Sequence, residues 1–144
     1  MTEWSQKMAA KLKKRKHYSE LRDAKFIEQQ KLREEDGPEL WQEVQNEINQ
    51  EGNALCADME SNFLVAKSET PSEMTITADL EDGSHTCEVG FSPVSGKLTW
   101  KIENCSKGTV ELAVGNNGKL SFFSGNVAVS PKYVATSILE ALLG

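Results

Sequence analysis

His85 and Cys87 stand two positions apart. In a strand, that spacing turns an imidazole and a thiol to the same face, where a base beside a nucleophile supports covalent catalysis. The surrounding pattern argues against that use. Cys87, Val89 and Phe91 alternate with Thr86, Glu88 and Gly90, so Cys87 completes an apolar row and is expected to be a buried, inert thiol. Metal binding has no better support. The other histidine, His17, lies in a basic run, and Cys56, Cys87 and Cys105 lack the paired spacing of a zinc site. There is no Gly-x-Ser-x-Gly, phosphate-binding glycine loop or dinucleotide fingerprint. Gly115-Asn116-Asn117-Gly118 joins two strand-like segments and reads as a hairpin turn. A general acid needs a desolvated carboxyl, but Glu88, Glu103 and Glu111 fall on the polar side of strand patterns. No catalytic residue, cofactor or metal is therefore expected, and the chain reads as a non-enzyme.

Charge carries more information. Residues 1–33 hold ten Lys/Arg against four Asp/Glu, net +6, and residues 34–144 hold six against eighteen, net −12. Such a division must be neutralised within the molecule, between molecules or by a polyanionic partner. Its basic half is concentrated in Lys7, Lys11, Lys13, Lys14, Arg15 and Lys16, with Arg22 and Lys25 nearby. Its most regular acidic feature is Glu39, Glu43, Glu47 and Glu51, four carboxylates at i+4 spacing that repel one another along one helix face.

The elements that must position these groups follow from periodicity. Residues 3–35 contain neither Gly nor Pro and are rich in helix formers, which predicts one long helix. Its apolar stripe is thin: Trp4, Met8 and Leu12 at i+4, then Tyr18, Leu21 and Leu32 on a second line. A helix with so narrow a face needs a partner surface. Asp36-Gly37-Pro38-Glu39 predicts a break, with a second helix starting at Pro38 and running to about residue 60. Trp41, Val44, Ile48, Leu55 and Met59 form its buried stripe. From residue 62 the period changes to two through six strand-like runs joined by Gly, Asn, Asp and Pro turns, including one from Asn104 to Gly108. Ser130-Pro131 then caps a last helix whose apolar face is Val134, Ile138, Leu139, Leu142 and Leu143.

The expected fold is α+β: a five- to six-stranded antiparallel meander with helices packed on one face. It divides into a basic helical arm, residues 1–35, and an α+β domain, residues 36–144, with helix 38–60, meander 62–129 and helix 131–143. Three unpatterned cysteines suggest reduced thiols and a cytoplasmic location. No run approaches the ~18–20 apolar residues of a membrane span. The N-terminus has no apolar secretory core, and Glu3, Glu20 and Asp23 argue against a transit peptide.

Function is therefore expected from surfaces. The primary reading is a protein-interaction or adaptor module that self-associates through its basic helix, with Lys7–Lys16, Arg22 and Lys25 facing acidic surface that includes Glu39, Glu43, Glu47 and Glu51. Trp4, Met8 and Leu12 are expected to dock on an apolar patch. The alternative is nucleic-acid binding, with Lys7–Lys16 on phosphates and only Trp4, His17 and Tyr18 available to stack. The Thr-rich sheet face of Thr75, Thr77, Thr86, Glu88, Thr99, Lys101 and Glu103 is a second candidate surface. A membrane-surface helix wants a larger apolar face than this arm has.

Asp36-Gly37-Pro38-Glu39-Leu40-Trp41, the meander, and the terminal Ser130-Pro131 and Ile138-Leu139-Glu140-Ala141-Leu142-Leu143-Gly144 resemble a loosely defined group of small bacterial proteins of unassigned function. These share a long basic N-terminal helix, a meander and a short C-terminal helix. The resemblance spans the chain, implies a bacterial cytosolic protein and carries over no catalytic residue. Size, acidity and plan are also similar to secretion chaperones, from which this chain departs by having no helix between its strands.

Overall fold

The structure, a computed structural model, describes residues 2–103 and 105–144. Two helices pack against one sheet. Helix α1 spans Glu3–Asp58, and strands β1 (Leu64–Thr70), β2 (Glu73–Leu80), β3 (Gly83–Ser92), β4 (Lys97–Ile102), β5 (Lys107–Val114), β6 (Leu120–Ser124) and β7 (Val127–Val129) follow, with helix α2 at Pro131–Leu143. The sheet is an antiparallel meander whose spatial order is its sequence order, β1 to β7. The α+β plan and the meander agree with the sequence reading, with seven strands in place of five or six. The addition is β7, three residues long and too short to display a period; Gly125, at φ +62°, supplies the left-handed turn that folds it back on β6.

The largest departure is at Gly37-Pro38. The expected break does not occur: α1 is one helix of 56 residues, about 84 Å long, with Pro38 inside it. A proline in a helix interior removes one hydrogen bond and crowds the preceding turn. Here Glu34 and Pro38 are both exposed, so water reaches the carbonyl left unpaired. Gly37 has no Cβ to clash with the proline ring. It is also buried: a Cβ at 37 would stand 3.1 Å from Leu112 Cδ1 and 3.2 Å from Phe91 Cζ. The Gly-Pro pair marks where the helix comes onto the sheet.

From there to Gly52, α1 buries Gly37, Trp41, Val44, Gln45, Ile48 and Gly52. Trp41 stacks on Phe91 and its indole Nε1 donates to the Pro71 carbonyl at 2.8 Å. Leu55 is half-buried and Met59, expected in the same stripe, is exposed beyond the helix end. The helix stops at Asp58 through Glu60, which takes a left-handed φ of 54° and lets Ser61 N donate to the Cys56 carbonyl. Helix α2 is capped by Ser130, whose hydroxyl accepts from Tyr133 N, and buries Val134, Ala135, Ile138, Leu139 and Leu142.

Both helices meet the sheet face carried by Met74, Ile76, Cys87, Val89, Leu98, Val110, Leu112 and Phe122. On the opposite face the register sets Glu88 beside Lys101, Thr75 beside Glu88, and Thr99 beside Thr109. The turn expected from Asn104 to Gly108 is shorter, since Lys107 and Gly108 already belong to β5; Asn104 lies outside the described residues. Phe123, out of phase with Phe122, is half-buried near Gly115.

Candidate functional site

The candidate residues are divided between two stretches of α1. The first contact between the helix and the β3–β4 turn comes at Gln30, whose Nε2 donates to the Val94 carbonyl at 3.1 Å. One turn on, the Arg33 side chain crosses Gly96, its Cδ and Nε 3.1 Å from where a Cβ would stand. Gly96 accommodates this with a φ of +68° and a donor–acceptor pair to Ser92. Sequence reasoning missed both contacts, because an exposed-looking Gln and Arg carry no periodic signal. They fix where the helix leaves the domain.

Residues 3–29 precede that clamp and extend about 40 Å from it. Every one of them is exposed except Ser5 and Met8, which are half-exposed. Trp4 is 71% exposed, Phe26 and Ile27 65% each, and Leu12, Tyr18 and Leu21 are exposed as well. The expected docking of Trp4, Met8 and Leu12 on an apolar patch is thus not made within the chain.

The charges show the same separation. Lys7 lies 3.9 Å from Glu3 and Lys31 4.0 Å from Glu35, both exposed pairs of the i,i+4 kind that contribute a few tenths of a kcal/mol. Among the described residues, Lys11, Lys13, Lys14, Arg15, Lys16, Arg22 and Lys25 have no carboxylate within ion-pair distance. The ladder lies farther along the same helix. Lys25 and Glu39 are separated by about 21 Å of axis, and Lys11 and Glu39 by about 42 Å. One continuous helix cannot fold its arm back onto its own ladder. Glu51 is satisfied differently, 3.8 Å from Lys132 of α2.

Geometry nevertheless relates the two stretches. At about 100° per residue, Lys7, Lys11, Lys14, Arg15, Arg22 and Lys25 share one side of α1. Asp36, Glu39, Glu43 and Glu47 fall on that same side. The buried positions Gly37, Trp41, Val44 and Ile48 are centred about a third of a turn away. The helix therefore presents basic charge at one end and acidic charge at the other along a single solvent-facing strip. Lys13 and Lys16 lie off the strip.

Other chemistry is sparse. Cys87 is fully buried, and burial pushes its thiol up to about 11 despite a hydrogen bond from the Lys101 backbone, so at neutral pH it is protonated. His85 sits on the same face of β3 but its Nε2 lies 2.7 Å from Asp82 Oδ1, and that hydrogen bond holds the Asp82 carboxyl below its ordinary value. Among the described residues no three His, Cys, Asp or Glu converge as metal ligands, and no helix is long and apolar enough to cross a membrane. The polar sheet face carries an open recess of about 880 Å³ lined by Glu73, Thr75, Glu88, Thr99, Lys101 and Lys107. Across its strands Glu88 neighbours Lys101, and Lys101 in turn neighbours Lys107.

A scan of protein-family models, a search of curated proteins and a search of solved structures each return no match. The resemblance drawn from the Asp36–Trp41 string and the C-terminal helix accordingly assigns no family.

Proposed function

We propose that this chain is a non-enzymatic protein-interaction or adaptor module that self-associates through its basic N-terminal helix, in the cytoplasm. One observation carries the reading: residues 3–29 form a helix with exposed apolar side chains and uncompensated cations, while matching carboxylates stand out of its reach on the same helix. This stretch of helix has no tertiary face of its own, and a second molecule supplies both the apolar cover and the counter-charge. The three free cysteines support the reducing compartment.

Sedimentation of the full-length chain across a salt series tests this. A dimer or larger species at low salt, shifting towards monomer as salt screens the arm, is the expected result. Monomer at every salt concentration and at tens of micromolar chain removes the reading. A second reading, phosphate binding by the arm, is favoured by Lys13, Lys14, Arg15 and Lys16 pointing to four different sides of an exposed helix. A gel-shift titration with random duplex and single strands separates the two. Salt-sensitive binding that Lys13–Lys16→Glu abolishes would establish nucleic acid as the ligand; no shift at low salt would end that alternative.

A further inference from the structure

Resting on that self-association, we infer that two copies pair their α1 helices antiparallel, with Lys25 on the two-fold axis, so that each basic arm lies along the other copy's acidic ladder.

Register decides which charges meet. In an antiparallel pair centred on residue 25, position 11 of one chain lies opposite position 39 of the other, and position 18 opposite position 32. Lys11 then meets the partner's Glu39, and Tyr18 meets the partner's Leu32. Lys14 and Arg15 come opposite the partner's Asp36 and Glu35. Lys7 comes opposite the partner's Glu43. Each pairing occurs twice by symmetry, and all these residues except Glu35, which lies at the edge, occupy the one solvent-facing strip of α1 described above. A parallel pairing in register does the opposite, stacking Lys11 on Lys11 and Glu39 on Glu39.

The antiparallel register has two unfavourable contacts: Lys25 against its own copy, which the partner's Glu28 one turn away offsets, and Glu3 against the partner's Glu47, which Lys7 beside Glu3 offsets. Glu51 falls outside the paired stretch, consistent with its separate ion pair to Lys132. The two-fold also sets the sheet of each copy beside the other's arm, on the side where Met8, Leu12 and Phe26 project. The exposed apolar residues and the divided charge thus have a single occupant in common: a second copy of this chain.

Cross-linking of the full-length chain tests it. In a Cys56→Ser/Cys105→Ser background, which leaves only the buried Cys87, Lys25→Cys is expected to form an intermolecular disulfide on mild oxidation. Tyr18→Cys is expected not to, since its two copies stand about 21 Å apart along the axis, beyond disulfide reach. Adding Leu32→Cys to Tyr18→Cys restores the cross-link. Separately, Lys11→Glu should weaken the dimer about tenfold, and Lys11→Glu/Glu39→Lys should recover it. A sedimenting dimer that cross-links equally at 18 and 25 would be parallel and overturn the orientation. A dimer that cross-links at neither overturns the register. Either result leaves self-association standing, whereas a monomer throughout overturns both.

Discussion

Trp41 of α1 stacks on Phe91 of β3 with ring centroids 5.9 Å apart and planes 19° from parallel. The same indole donates to the Pro71 carbonyl in the β1–β2 turn, so one side chain ties the long helix to two neighbouring places in the sheet. Trp41→Ala removes a large buried ring and the bond together, and should cost about 3–5 kcal/mol. Trp41→Phe keeps most of the stacking and loses the donor, for about 1–2 kcal/mol. Urea titration followed by far-UV circular dichroism reads both. Equal losses for the two variants would mean that the hydrogen bond, not the ring, holds the junction.

Gly37 and Pro38 invite opposite results from adjacent positions. Pro38 is exposed and its ring interrupts the α1 hydrogen-bond ladder, so Pro38→Ala restores a donor and should raise stability by about 1–3 kcal/mol. Gly37 is buried beneath Leu112 and Phe91, so Gly37→Val forces those side chains aside and should lower stability by about 1–3 kcal/mol. Thermal unfolding of both variants checks the pair. A stabilising Gly37→Val would show that the sheet does not seat closely on the helix there.

These two residues also show what the sequence could convey. The alternation of Met74, Ile76 and Ala78, or of Leu98, Trp100 and Ile102, exposes strand and facing together, because a half-buried sheet imposes a period of two on its sequence. The stripe of Trp41, Val44 and Ile48 is legible for the corresponding reason at 3.6. The Gly-Pro pair is not, since local propensity favours a break and only burial of Gly37 against β3 and β5 overrides it. The candidate site was half legible. Charge division and i+4 spacing name its residues, but whether arm and ladder touch depends on helix continuity, which the Gly-Pro pair concealed. Gln30 and Arg33, which fix the arm's point of departure, act through contacts to Val94 and Gly96 more than sixty residues away and left no trace in any window.

Glu60 occupies the left-handed position that ends α1, with φ at 54°. An L-residue there is strained by about 1–2 kcal/mol, of which glycine recovers part while losing more backbone entropy on folding. Glu60→Gly should therefore stabilise by about 0.5–1 kcal/mol, and Glu60→Val, with a branched Cβ, should destabilise by a similar amount or more. Denaturation midpoints of the two variants give the answer. A Glu60→Gly chain less stable than the parent would mean that the carboxylate makes a compensating contact.

Cys87 gives a pH dependence with a definite sign. Its thiol is fully buried among the inner strands, and burial raises it to about 11 from an unfolded value near 9. The folded chain therefore binds this proton more tightly than the unfolded chain does. Its contribution is fully present below pH 9 and is lost as pH rises towards 11, at up to about 1.4 kcal/mol per unit. Cys87→Ala removes that slope at the expense of a small cavity, so the stabilities of parent and variant should converge between pH 9 and 11. Thiol labelling supplies an independent reading. Near pH 8 the exposed Cys105 should react readily with a disulfide reagent while Cys87 reacts only on global unfolding. Rapid labelling of Cys87 in the native chain would place it within reach of solvent and reopen the His85–Cys87 pair as chemistry.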